Sequence, residues 1–235
     1  MLGALLQGLV KRLPSRCAIC HAWPSEPLCQ ACVARFTTSP NRCRSCALPV
    51  PEGVTVCGTC LREPPALDAC LAVVPYAYPW SELIGQFKFG ANPALARSLA
   101  QIMRSSHEVD EALDRCDWLL PLPLSPQRLR ERGFNQTLEL ARHLAATKVD
   151  AGLLLRLRHT PPQSTLTRAQ RLRNVEQAFA VDPLRTGELA GRRVVLVDDV
   201  MTSGASLFAA ARAVREAGAA HITGLVLART ETQGR

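Results

Sequence analysis

The chain has 235 residues, 47% of them hydrophobic, and a formal net charge of +8. That length holds one core of ordinary size plus a small second module, and no stretch is long and apolar enough to span a bilayer, which excludes a membrane-spanning class. The charge is almost wholly arginine, with lysine only at Lys11, Lys88 and Lys148, a bias that favours bidentate capture of phosphate over generic solubility charge.

In chain order, residues 1–14 carry an apolar stripe of Leu2, Leu5, Leu6, Leu9 and Leu13, with Lys11 and Arg12 late in it. A secretory signal places its charges first and has a longer apolar core. The segment reads as a short amphipathic helix packing on the next module rather than lying on a membrane surface. The expected location is cytoplasmic.

Residues 15–62 hold eight of the ten cysteines as four C-x-x-C pairs: Cys17/Cys20, Cys29/Cys32, Cys43/Cys46 and Cys57/Cys60. A C-x-x-C turn presents two thiolates to one metal, and tetrahedral Zn²⁺ takes four. Four turns therefore predict two structural Cys₄ sites, most simply grouped in sequence, although spacing alone also permits interleaving. With no export signal, disulfides are not expected. The module has few apolar residues of its own, so metal binding, worth on the order of 10 kcal/mol, supplies most of its stability. All four positions of each site are protein ligands, which leaves none open for catalysis.

Residues 63–69, opening on Glu63-Pro64-Pro65, form a semi-rigid linker, and a second domain covers 70–235. Its expected elements are a strand over 70–78, helices over 80–88 and 93–105 (capped by Asn92), and a strand over 117–122. A helix from Ser125 to about 147, a strand at 152–157 and a helix near 167–177 follow. The last elements are a strand at 193–198 with its helix and a strand at 222–228. Such alternation specifies an α/β fold, a mainly parallel sheet flanked by helices. Cys70 and Cys116 stand outside any pair and read as buried, inert thiols.

Val194–Val197 is an unbroken aliphatic run, typical of a strand buried on both faces. Asp198 and Asp199 follow, then Met201-Thr202-Ser203-Gly204-Ala205-Ser206, then a helical stripe of Leu207, Ala210, Ala211 and Val214. Backbone N–H groups of Thr202 to Ser206 at a helix N-terminus can cradle a phosphate. The two carboxylates at the strand end can accept from sugar hydroxyls or hold a magnesium shell. No G-x-x-x-x-G-K-[ST] lies upstream, so an ATPase lacks its other half. The stretch resembles the phosphoribosyl-pyrophosphate (PRPP) loop of type I phosphoribosyltransferases.

Residues 125–175 hold nine arginines and one lysine against three acids. A solvated helix face would intersperse acids. The shortage of them predicts a surface facing a polyanion, with Arg128, Arg130, Arg156, Arg158, Arg168 and Arg173 as nucleic-acid contacts.

Together these features resemble the ComF family: the double zinc ribbon, Tyr76, Pro79, Ile84 and Lys88-Phe89-Gly90, the Pro121-Leu122-Pro123 turn, and Arg132-Gly133-Phe134-Asn135-Gln136. Gln163, Leu166, Arg171, Asn174, Phe179 and the Val194–Val200 stretch complete the pattern, which spans nearly the whole chain. The resemblance implies a phosphoribosyltransferase-like protein accessory to DNA uptake. It implies PRPP held with Mg²⁺, the 5′-phosphate on Thr202, Ser203, Gly204, Ala205 and Ser206, and the ribose on Asp198 and Asp199, which would also be the catalytic pair. Backbone N–H groups of the Pro121–Pro123 turn, with Leu122 at its centre, would meet pyrophosphate, and Lys88, Arg132 and Arg171 would meet its remaining charge. Three roles stay open: an accessory protein binding single-stranded DNA, an active transferase on a metabolite, and a PRPP sensor without turnover.

Overall fold

The computed structural model describes residues 15–37, 40–90, 92–157 and 178–231. The 1–14 helix, the helix near 167–177, and Arg158, Arg168, Arg171 and Arg173 lie outside them. The chain forms two compact units, one ending at Thr38 and one beginning at Ser39.

The first unit contains one knuckle: a Ser15–Ser25 bridge and helix α1 (Gln30–Phe36) frame Cys17, Cys20, Cys29 and Cys32.

The second unit opens with a matching knuckle. An Arg42–Pro49 bridge and helix α2 (Gly58–Arg62) surround Cys43, Cys46, Cys57 and Cys60. These cysteines share one buried cluster with Leu67, Cys70, Met201 and the sheet core. By packing the chain divides at 38/39, inside the expected 15–62 zinc-ribbon span. The second knuckle is too small to bury its own apolar face and places it against the large domain.

A four-stranded, wholly parallel sheet forms the centre, in the order β1 (Ala69–Pro75), β6 (His221–Arg229), β5 (Arg193–Met201), β2 (Trp118–Pro121). The two inner strands are apolar runs buried along most of their length, as sheets covered on both faces require. Between β1 and β2 lie α3 (Trp80–Phe89), α4 (Leu95–Arg104) and α5 (His107–Arg115). The helix expected from 93 begins at Leu95, after a turn at Pro93 and Ala94. α5 was not anticipated, although acids in its first turn, Arg115 in its last and a buried Val109/Leu113 stripe mark it.

The single helix expected from Ser125 to 147 is two: α6 (Pro126–Arg132) and α7 (Gln136–Ala145). Gly133 ends the first in a left-handed conformation, φ 78°, and the Asn135 side chain caps the second through the Thr137 N–H at 3.1 Å. α7 packs against α4, β2 and β5. A separate antiparallel ribbon joins β3 (Leu154–Arg156) to β4 (Phe179–Val181). Helix α8 (Ala205–Glu216) covers β4, β5 and β6.

Candidate functional site

Ligands of open parallel sheets collect beyond the carboxyl ends of the strands. Here β2 and β5 are neighbours, and their ends open into a cavity of about 230 Å³. Its floor is Asp198 to Thr202 with Gly204, Ala205 and Ser206; Lys88, Arg128, Arg132, Gln136 and Arg156 are among its walls.

β5 does not stop at Asp198. It stays paired with β6 as far as Met201, and both carboxylates still line the cavity. They have different partners. Asp199 is buried and forms a 2.8 Å ion pair with Lys88 Nζ. Asp198 Oδ1 accepts from the Asp199 N–H at 2.8 Å. Burial, and then the charge of Asp199, pushes the Asp198 carboxyl up to about 7. The two carboxyls thus differ: Asp199 is held by Lys88, whereas Asp198 is raised toward neutrality, as at sites that take up cationic or hydroxyl partners.

The loop after β5 turns at Gly204, φ 81°, the cap of α8. Ala205 N–H donates to Ser203 Oγ at 3.4 Å, so Ser203 serves the loop itself and is not among the cavity residues, whereas Thr202, Gly204, Ala205 and Ser206 are. A Cβ on Gly204 would lie 2.5 Å from Met201 Cε and 2.7 Å from the Phe208 ring. The glycine is required by its backbone conformation and by these two side chains.

The Pro121–Pro123 turn departs from expectation. Its prolines carry no N–H, and the Leu122 N–H is spent on Val197 O at 2.9 Å. No N–H of this turn is left for pyrophosphate; Leu122 lines the cavity through other atoms, and Pro121 does not reach it. The Leu122 carbonyl accepts from Thr137 Oγ1 at 2.7 Å and Asn135 Nδ2 at 3.2 Å. The Asn135–Thr137 segment therefore clamps the turn.

Cationic side chains line the same cavity. Arg132 donates to Gln136 Oε1 at 3.0 Å and lies over the Phe89 ring at 5.4 Å. Gln136 is fully buried, and its Nε2 has no hydrogen-bond partner among the described residues. Arg128 and Arg156, expected on a nucleic-acid surface, line this same cavity. Arg156 reaches it from β3, its guanidinium 5.1 Å above the Phe179 ring, and burial followed by repulsion from Arg128 lowers its pKa to about 10. Arg130, by contrast, is exposed on α6 and outside the cavity. Charge counting along the sequence did not distinguish these arginines, because their direction depends on the break at Gly133 and on the β3–β4 ribbon.

At each Cys₄ group the four sulfurs lie within 4.8 Å of one another: Cys17, Cys20, Cys29, Cys32, and Cys43, Cys46, Cys57, Cys60. The grouping is sequential. The sulfur sets fit tetrahedral zinc and leave no coordination position for substrate. Cys70 and Cys116 are buried as expected, and burial pushes the Cys70 thiol up to about 12.

Comparison with known proteins agrees with this anatomy. The double zinc ribbon domain model matches residues 11–61, and the phosphoribosyl transferase domain model matches 134–234. The "DNA utilization protein YhgH" of Escherichia coli K12 is 31% identical over 93% of this chain and 98% of its own length. This chain belongs to the ComF family. Other ComF-family relatives are "Competence protein F" of Haemophilus influenzae, 30% identical over 86% of this chain and 90% of its own, and "Competence protein ComFC" of Bacillus subtilis. The latter is 28% identical over 88% of this chain and 86% of its own. ComF membership accounts for both halves of the architecture, the paired cysteine knuckles and the phosphoribosyltransferase-type sheet.

Proposed function

We propose that the cavity binds PRPP with Mg²⁺, and that the protein acts in the handling of incoming DNA in the cytoplasm. The observation that carries this is the pairing, across one cavity, of the Asp198/Asp199 floor and the Thr202–Ser206 helix start with four cations, Lys88, Arg128, Arg132 and Arg156. A pentose with a phosphate at one end and a pyrophosphate at the other needs anion donors at two places and hydroxyl acceptors between them. The N-terminus of α8 suits the 5′-phosphate. Asp198 suits the ribose hydroxyls, and the arginines suit pyrophosphate, which they contact bidentately. Mg²⁺ arriving with PRPP would offset the departing charge as a nucleophile displaces pyrophosphate from C1. In that exchange Lys88 orients Asp199 through its 2.8 Å ion pair.

The link to DNA draws on the printed names of the ComF relatives and on the exposed arginine of α6. Single-stranded DNA is the expected polymer, bound through phosphates and indifferent to sequence. Active transfer to a metabolite is a second reading, favoured by the intact acid pair.

The deciding experiment is calorimetric titration with PRPP at two Mg²⁺ concentrations, followed by pyrophosphate release across an acceptor panel with and without single-stranded DNA. Binding without release supports an accessory or sensing role. Absence of PRPP binding removes the site reading.

A further inference from the structure

Arg229, the last residue of β6, is 2% exposed, yet it is neither in the cavity nor a metal ligand. Its guanidinium joins two segments far apart in sequence. Nε donates to the carbonyl of the zinc-ligand residue Cys46 at 3.0 Å. Nη1 donates to the carbonyls of Met201, at 3.1 Å, and Thr202, and to Thr230 O at 2.8 Å. Two further contacts run in parallel: Cys70 Sγ lies 3.7 Å from Met201 Sδ, and the Cys70 N–H donates to Arg44 O at 2.7 Å. The second knuckle thus touches the start of the phosphate loop through one arginine and one thiol.

Charge gives the contact direction. Four thiolates around one divalent ion leave a net charge of about minus two. Arg42, which donates to Ala47 O at 3.0 Å, and Arg229 both sit against this knuckle. Buried guanidinium next to a net anion is held in place by it, and truncation of either partner leaves the other uncompensated.

We infer that Arg229 is a positioning residue through which the metal in the second Cys₄ site holds Met201 and Thr202, and hence the Thr202–Ser206 loop, in its binding geometry. The consequence for ligand affinity rests on the proposed PRPP site; the mechanical link does not. All the residues of this link, Cys46, Arg229, Met201 and Thr202, belong to the second unit. Coupling between two sites is reciprocal in equilibrium affinity, so PRPP raises the affinity of the second site for zinc by the factor with which zinc tightens PRPP.

The test uses the full zinc-loaded chain and reads backbone hydrogen exchange over residues 201–207, zinc content and PRPP affinity. Three variants are compared with wild type: Cys60→Ser, which disables the second site; Cys20→Ser, which disables the first; and Arg229→Lys, which keeps the charge but offers one nitrogen in place of a fork. Loss of charge-assisted bonds of this kind supports about a tenfold faster exchange of 201–207 in Cys60→Ser and in Arg229→Lys. Cys20→Ser should exchange there as wild type does. Should Cys60→Ser not fold, Arg229→Lys, expected to keep both zinc ions, decides alone. Wild-type exchange in Arg229→Lys, or equal acceleration in Cys20→Ser, overturns the inference. If wild type binds no PRPP, the ligand reading fails and the exchange result still decides the link; if it binds and Arg229→Lys binds equally well, the link does not reach the loop.

Discussion

Gly204→Val separates a conformational requirement from a ligand requirement. Gly204 holds φ 81°, and a Cβ there would sit 2.5 Å from Met201 Cε and 2.7 Å from two atoms of the Phe208 ring. A left-handed backbone costs a non-glycine residue about 1–2 kcal/mol. Forcing extra carbon into a packed site costs typically 1–3 kcal/mol more. The sum, roughly 2–5 kcal/mol, is a fall in Tm of at least about 4 °C for a domain of this size. The fall should appear without ligand, because Met201 and Phe208 belong to the protein. PRPP affinity should fall by about tenfold or more, since the loop relaxes away from the geometry that aims its N–H groups. Gly204→Ala, which keeps the φ penalty with less bulk, should lie between. The assays are scanning calorimetry and PRPP titration at fixed Mg²⁺. A Gly204→Val protein that melts and binds as wild type refutes the reasoning on both counts. One that melts early but binds normally shows that the loop does not hold the phosphate.

The knuckles should bind two zinc ions per chain, measured by elemental analysis; a value of one would contradict two Cys₄ groups. Cys29→Ser should unfold the first unit and leave the large unit's melting unchanged, because the buried cluster of the large unit draws only on the second knuckle. The carboxyl of Asp198 is raised to about 7, so its stabilising effect is complete below the ordinary carboxylate range and lost as pH rises through about 7. The ligand-free Tm should therefore decline between about pH 4 and 7, and Asp198→Asn should flatten the decline; an undiminished slope in that variant would assign the effect elsewhere. Arg130→Ala should weaken salt-sensitive binding of single-stranded DNA and reduce the slope against log salt by about one, while leaving PRPP titration untouched.

The sheet and the loop between β5 and α8 were legible because their signals are local: an aliphatic run, two acids, a glycine that must turn, a helical stripe. The two Cys₄ sites followed from spacing, while their sequential grouping needed the structure. What escaped depends on contacts between distant segments. The arginines of 125–175 share a composition but not a direction, and only the stop at Gly133 and the β3 ribbon send Arg128 and Arg156 into the cavity while Arg130 stays on the surface. The Leu122 N–H seemed available because its acceptor, Val197 O, lies across a strand pairing that sequence order does not reveal. Arg229, just past the expected strand, suggested nothing; of its carbonyl partners, the three distant ones belong to residues 46, 201 and 202.

The unequal placement of the knuckles bears on where the chain tolerates being cut. The motif border invites a shortened protein that starts after Arg62. Such a protein would lose Arg44 and Cys46, whose carbonyls accept from Cys70 and Arg229, and expose the cluster that Ala47, Cys57 and Cys60 now close. A start near Ser39 keeps that surface covered and retains one metal. Variation among relatives should follow the same line, with substitutions and length changes tolerated before residue 38 and resisted between 43 and 60.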